Sequence, residues 1–253
     1  MTNVQFSVFY HYPSIIAKEC IVLGVLAYEP ATNKFIFNTV KNTNRVATFN
    51  DELNIELLKN YLKAMKKNIE RLVSKNQFDM YNFTRHYVNE LQFDIVKTVE
   101  VEESFEEFVK ECTRQYMSFD YAKKDRPKKD SQIKFLKGII GKSEVSDGQL
   151  YGSFKEKINL DFLVSDYGFK FIYSNHKNIT STFNNAKIWR YNASILKNTY
   201  NLNIIFIVNF EKDDSELSGV YELLSEFGSV MTYDDALQFV DKKIKNDFFN
   251  LCL

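Results

Sequence analysis

Asp161 interrupts an apolar stretch, Ile158-Asn-Leu-Asp161-Phe-Leu-Val164, and after Gly168 a second apolar stretch runs Phe169-Lys-Phe-Ile-Tyr173-Ser-Asn175. A carboxylate on one strand, facing an acid and a lysine on the next, is an arrangement that hydrolyses phosphodiesters. Two carboxylate oxygen sources converge on Mg²⁺, and a base or cation stands near the attacking water. Asp161 supplies one carboxylate. Past Phe171 the second stretch offers Tyr173 and Asn175. A phenol does not ligate Mg²⁺ as a carboxylate does, and an amide carries no charge. The segment from Thr182 to Tyr200 contains no Asp or Glu, but Lys187 on it could replace the lysine, and Glu144 and Glu156 are the remaining distant acids. The expectation is therefore double. An active site would use Asp161, Lys187, a migrated acid and Mg²⁺; without catalysis the chain needs no cofactor or metal, and Asp161 is an exposed polar position between inward-facing Leu160 and Phe162.

These residues need a scaffold. Ile133, Leu136, Ile139 and Ile140 predict a short amphipathic helix, followed by strands near Leu150, over 158–164 and over 169–173, with a turn at Gly168. A helix over 183–200, a strongly apolar strand over 203–208 and two further helices complete the half. This order of helix, meander, helix and strand resembles the restriction-endonuclease-like superfamily. The resemblance implies an α/β domain with a mixed sheet and a D…(D/E)-x-K triad, two members of which this chain replaces.

A second candidate site is electrostatic. Lys59, Lys63, Lys67, Arg71 and Lys75 recur every four residues on a helix whose other side carries Leu58, Leu62, Met65, Ile69 and Leu72, with Lys66 beside them and only Glu70 nearby. A ridge of one sign suits phosphate contacts, although solvated helix faces also carry such rows. His11, His86 and His176 lack a second ligand at helical spacing and are expected to be capped or at the surface. Cys20 and Cys112 read as core, and Cys252 adds no C-x-x-C spacing. Gly138-Ile-Ile-Gly141-Lys142-Ser143 lacks the Walker spacing and reads as a helix C-cap, and Trp189 reads as packing.

The first half is read as three strands over 4–12, 20–28 and 34–40, then a long helix opened by Asn50-Asp51-Glu52. A strand over 92–101 follows, and Ser104 with Glu107 forms a capping box for the next helix. This predicts an α+β domain with its helices on one face of the sheet. Phe6-Ser-Val-Phe-Tyr10-His-Tyr12-Pro13, Glu19-Cys-Ile-Val-Leu-Gly24-Val25 and Asn44-Arg45-Val46 are similar to an uncharacterised family of small bacterial proteins with a Y-x-P strand, an E-x-x-x-x-G-V strand and an R-(L/V) element. The resemblance spans roughly 4–117. Leu23 stands where that family commonly has Asn, and the family implies no activity.

The polar segment from Phe119 to Asp130 divides the chain into expected domains 1–118 and 132–253 joined by a linker, 119–131. With 253 residues, 23 Phe and 15 Tyr, each half can bury a core, and 8 Gly and 3 Pro leave little for flexible spacers. Lys+Arg and Asp+Glu balance at 33 each, so attraction to nucleic acid or membrane must be local. No apolar run has spanning length and no signal-like start is present, which predicts a cytoplasmic protein without a membrane partner. The functional expectation is a non-catalytic interaction or regulatory protein with a protein partner, bacterial or phage encoded, in phage-host or mobile-element conflict. The two alternatives are a metal-dependent nuclease and a nucleic-acid binder using the ridge. Oligomeric state is left open.

Overall fold

The computed structural model describes residues 2–14, 19–141, 144–174 and 178–240. The chain divides into two compact units, 1–127 and 128–253.

In the first unit β1 (Thr2–Ser14), β2 (Glu19–Glu29) and β3 (Lys34–Thr39) form an antiparallel meander. Helices α1 (Thr43–Phe49), α2 (Ile55–Ser74) and α3 (Met80–Thr84) follow, then β4 (Leu91–Phe93), β5 (Lys97–Val101) and α4 (Phe105–Tyr116). Both β4 and β5 pair with β1, on successive parts of its length. The expected strand over 92–101 is thus broken. Asp94 sits at the break, its N–H donating to the Val8 carbonyl and its carbonyl accepting the Ser7 hydroxyl.

Helices cover both faces of this sheet, not one. Phe9 packs with Leu58, Leu62, Met65 and Ile69 of α2, while Phe6 meets Phe108 of α4 edge to face at 5.7 Å. The reason lies in β1, buried on both sides from Phe6 to His11. In β2 a bulge does the same work. Phe9 pairs with Gly24 and Tyr10 with Val22, so Leu23 is the extra residue and the side-chain alternation slips by one. Ile21, Leu23, Leu26 and Tyr28 consequently all join the α2 core. Gly24 is required there, because a Cβ would lie 2.8 Å from the Asn38 carbonyl oxygen.

The long helix starts later than expected. Asn54, not Asn50, is its N-cap, accepting the Leu57 N–H at 3.0 Å. Asn50 closes α1 and is engaged by His11 and by the Glu52 N–H. The Ser104–Glu107 capping box forms with both hydrogen bonds. Residues expected as linker take up 3-10 turns at Ser118–Asp120 and Lys123–Asp125. Asp120 accepts the Lys41 N–H, and the guanidiniums of Arg45 and Arg126 lie 4.0 and 4.8 Å over the Phe119 ring.

The second unit runs α5 (Lys129–Ile140), β6 (Val145–Ser146), β7 (Gln149–Tyr151), β8 (Lys157–Asn159), β9 (Phe162–Val164), β10 (Tyr167–Ile172), α6 (Ile179–Tyr200), β11 (Asn203–Val208), α7 (Ser218–Ser225), β12 (Gly228–Thr232) and α8 (Tyr233–Phe239). A mixed five-stranded sheet has the order β12-β11-β10-β9-β6, parallel from β10 to β12 and antiparallel beyond. Here β12 is a strand that the sequence reading did not contain. Parallel neighbours need crossovers, which α6 and α7 supply. One face of the sheet buries Ile172, Ile204, Phe206 and Val208 against Trp189, Ala193 and Leu196 of α6 and against α7. The alternate residues Phe169, Phe171, Ile205 and Ile207 are buried on the other face, where Tyr233 of α8 meets Phe171 and Lys137 of α5 lies over Phe162. β7 and β8 form a separate hairpin.

Candidate functional site

The expected strand over 158–164 ends at Asn159 and restarts at Phe162, and Asp161 occupies the gap. Its own N–H donates to the Phe169 carbonyl, and its Oδ2 accepts the Phe171 N–H at 2.7 Å. The side chain thus supplies the acceptor that one more strand residue would have supplied. Its surroundings are cationic: Lys129 Nζ lies 3.9 Å from Oδ1 and Lys170 Nζ 3.8 Å from Oδ2. The carboxylate side chain is 16% exposed, not the solvent-facing group expected from alternation.

The lysines are themselves held. Lys129 donates to the Phe171 carbonyl at 3.1 Å, and Lys170 donates to the Asn159 carbonyl at 2.8 Å while lying 4.6 Å over the Trp189 ring. Burial lowers the Lys170 pKa, Asp161 counters that shift, and Lys129 adds to it. The cluster therefore holds two cations on one carboxylate. Among the described residues no group of three His, Cys, Asp or Glu side chains is placed to hold a metal.

Register explains why the second strand was misread. The turn lies at Ser165–Asp166, since Val164 pairs with Tyr167, and Gly168 lies inside β10. A Cβ on Gly168 would come within 2.8 Å of Leu160 Cδ1 and 3.1 Å of Ile204 Cδ1, so glycine serves packing there and not turning. With Phe162 opposite Phe169, the residue that faces Asp161 is Lys170. Tyr173 falls beyond β10. Its hydroxyl donates to Gln132 at 2.5 Å, and burial, then Asp234, raises its pKa well above the usual range. Asn175 and His176 lie outside the described residues, as do Lys142, Ser143 and Cys252.

The remaining catalytic candidates are elsewhere. Lys187 is exposed on the side of α6 away from buried Ala186, Trp189 and Ala193. The Glu156 carboxylate is folded onto its own hairpin, accepting the Phe154 N–H at 2.8 Å. Gly141 caps α5, its N–H donating to Lys137, and Trp189 is buried as expected. Lys129 and Lys170 were not found from the sequence. Their signal was present for Lys170, a lone charge between Phe169 and Phe171 in an apolar strand.

On α2 the cations do not form one straight ridge. Each four-residue step overshoots a turn by about 40°, so the row from Lys59 to Lys75 winds through about 160°. Lys63, Lys67 and Arg71 are exposed opposite the buried stripe, with Lys66 exposed beside them. Lys59 is half-buried and paired with Glu56 at 2.8 Å, Lys75 is the C-cap, and Arg71 donates to Asn68.

The first unit holds titratable groups that the sequence did not flag. His11 is fully buried, not capped at the surface; Asn50 Nδ2 lies 2.9 Å from its Nε2, and its Nδ1 makes no hydrogen bond among the described residues. Burial lowers its pKa. Lys97, its side chain 1% exposed, reaches Asp94 at 3.3 Å and the Tyr116 hydroxyl at 3.2 Å beneath the Phe6 ring. Tyr10 nearby is pushed well up, first by burial and then by Asp94. Cys20 is only half-buried, whereas Cys112 is core, and His86 is exposed.

Comparison with known proteins places the first unit. A family described as "Protein of unknown function (DUF3037)" matches residues 6–111, the stretch that carries the Tyr10-x-Tyr12-Pro13 and Gly24-Val25 motifs. The N-terminal half is thus similar to an uncharacterised family. No curated protein and no solved structure matches the chain. Among the described residues no helix is long and apolar enough to cross a membrane.

Proposed function

We propose that this chain is a non-catalytic interaction or regulatory protein whose second unit is a nuclease-like core without its chemistry. The order α5, β6, β9, β10, α6, β11 (helix, three antiparallel strands, crossover helix, parallel strand) supports the restriction-endonuclease-like reading. One observation carries the loss of chemistry. Asp161, in the gap just before β9, accepts a backbone N–H and is flanked by two ammonium groups. A hard cation binding there would have to displace Lys129 and Lys170 and would meet one carboxylate where two are needed. The test is incubation of the purified full chain with supercoiled plasmid, single-stranded DNA and RNA in Mg²⁺ or Mn²⁺. No cleavage is expected. Cleavage that Asp161→Asn abolishes would establish the nuclease alternative.

A second reading, nucleic-acid binding without hydrolysis, is favoured by the exposed, acid-poor face of Lys63, Lys66, Lys67 and Arg71 on α2. A polyanion releases counterions to such a face, so affinity would fall with salt.

A further inference from the structure

The β7–β8 hairpin presents aromatic rings and cations together on one surface. Its strands pair Gln149 with Asn159, Leu150 with Ile158 and Tyr151 with Lys157. With a side-chain period of two, Leu150 and Ile158 share the inner face and pack into the core of the second unit. Gln149, Tyr151, Lys157 and Asn159 share the outer face, where the Gln149 amide donates to the Tyr151 hydroxyl at 3.2 Å. At the tip, the Lys155 N–H bonds the Gly152 carbonyl and the Gly152 N–H bonds the Glu156 carbonyl. This closed turn leaves Phe154 83% exposed and Tyr151 47% exposed. The Tyr200 hydroxyl at the end of α6 donates to the Tyr151 carbonyl, which fixes the hairpin to the helix.

Charge distinguishes this patch from an ordinary exposed turn. Glu156, the one acid of the hairpin, is folded back onto the Phe154 N–H. Lys155 and Lys157 are exposed, and neither has an ion-pair partner among the described residues. Helix α6 contributes no Asp or Glu at all. Lys155 also holds φ 63°, a left-handed conformation in which a side chain is unusual. The surface therefore combines rings with open faces, unpaired cations and a hydrogen-bonding amide. That is the chemistry of a strand with unstacked bases and a phosphate backbone. A duplex hides its base faces, and a protein surface of apolar character would leave the lysines without partners.

We infer that the β7–β8 hairpin is a contact site for single-stranded nucleic acid, on which Phe154 and Tyr151 stack bases and Lys155 and Lys157 meet phosphates. It goes beyond the α2 face, which lies in the other unit, and holds whether or not the second unit cleaves. The test is fluorescence anisotropy of the full chain with labelled 20-mer oligo-dT, oligo-U and a duplex of equal length across a salt series in EDTA. Single strands are expected to bind more tightly than the duplex. Phe154→Ala is expected to weaken them about ten-fold, the loss of one stacked base. Lys155→Gln with Lys157→Gln is expected to lower the salt slope by about 1.4, two contacts at about 0.7 each. Both changes lie at exposed positions, so circular dichroism should match the wild type. The inference is overturned by no binding of any single strand at low salt, by hairpin variants that bind like the wild type, or by loss only in Lys63→Glu/Lys67→Glu/Arg71→Glu. Binding to anionic vesicles but not oligonucleotides, abolished by Phe154→Ala, overturns it too and assigns the patch to a lipid surface. Cleavage in a parallel Mg²⁺ reaction bears on the non-catalytic reading alone.

Discussion

Asp161 Oδ2 accepts the Phe171 N–H at 2.7 Å, and this one contact continues the pairing with β10 through a side chain where the backbone of β9 has not yet begun. Strand β9 stops short of its partner, and the carboxylate completes the pairing that the backbone leaves open. Lys129 and Lys170 then neutralise the charge in a partly enclosed setting. Structural and catalytic roles for this residue make opposite statements about stability.

Asp161→Ala is expected to destabilise the second unit by about 2–4 kcal/mol, because it orphans a backbone donor and leaves two ammonium groups without a counter-charge. Asp161→Asn keeps an acceptor and should cost less. Urea denaturation midpoints check this. An unchanged or raised midpoint in Asp161→Ala would favour a carboxylate held for chemistry over one held for the fold.

Two glycines give opposite outcomes for the same substitution. Gly24→Ala drives a Cβ to 2.8 Å from a backbone oxygen at the β2 bulge, where strands cannot easily move, and is expected to cost about 1–3 kcal/mol. Gly138→Ala meets nothing within 4 Å inside α5 and is expected to stabilise by about 0.5–1 kcal/mol. Thermal melts of the two variants decide it.

Acid destabilisation is expected to involve His11. Burial holds its folded pKa below that of the unfolded chain, so the unfolded state takes up a proton that the folded state resists. Stability is present above the unfolded value of about 6.5 and is lost as pH falls below it. The melting temperature should decline from pH 7 toward pH 5, and His11→Gln should flatten that decline. An identical slope in the variant would remove His11 from the explanation.

At alkaline pH the sign reverses. Burial pushes Tyr12 and Tyr87 up to about 12, whereas unfolded tyrosines ionise near 10. Between those values the unfolded state loses protons that the folded state keeps, so stability falls as pH rises from about 10 to 12. Tyrosinate absorbance at 295 nm should grow together with the loss of circular dichroism. Full ionisation in a still-folded chain would contradict the enclosure of these rings.

Much of the scaffold was legible because its signals are local. The Ser104–Glu107 box, the apolar run of β11, the helical repeat of Leu58, Leu62, Met65 and Ile69 and the Gly141 cap each lie within one or two turns of chain. The motifs around Tyr10 and Gly24 also pointed to the uncharacterised family that matches 6–111. Other features were invisible for the opposite reason. The break at Asp94 is bonded to Ser7 and Val8 across the sheet, and Asn50, expected to open the long helix, ends α1 beside His11 of β1.

The sequence by itself determined that an acid interrupts an apolar stretch at Asp161, that the segment from Thr182 to Tyr200 carries no acid, and that one face of a long helix is rich in Lys. Tertiary structure alone decided what Asp161 faces. Placing the turn at Ser165–Asp166 instead of Gly168 sets the register, and a register is a choice among pairings that alternate every two residues and differ only in what they bury. Gly168 packed on Leu160 and Ile204 makes that choice, and with it Lys170 comes to stand opposite Asp161.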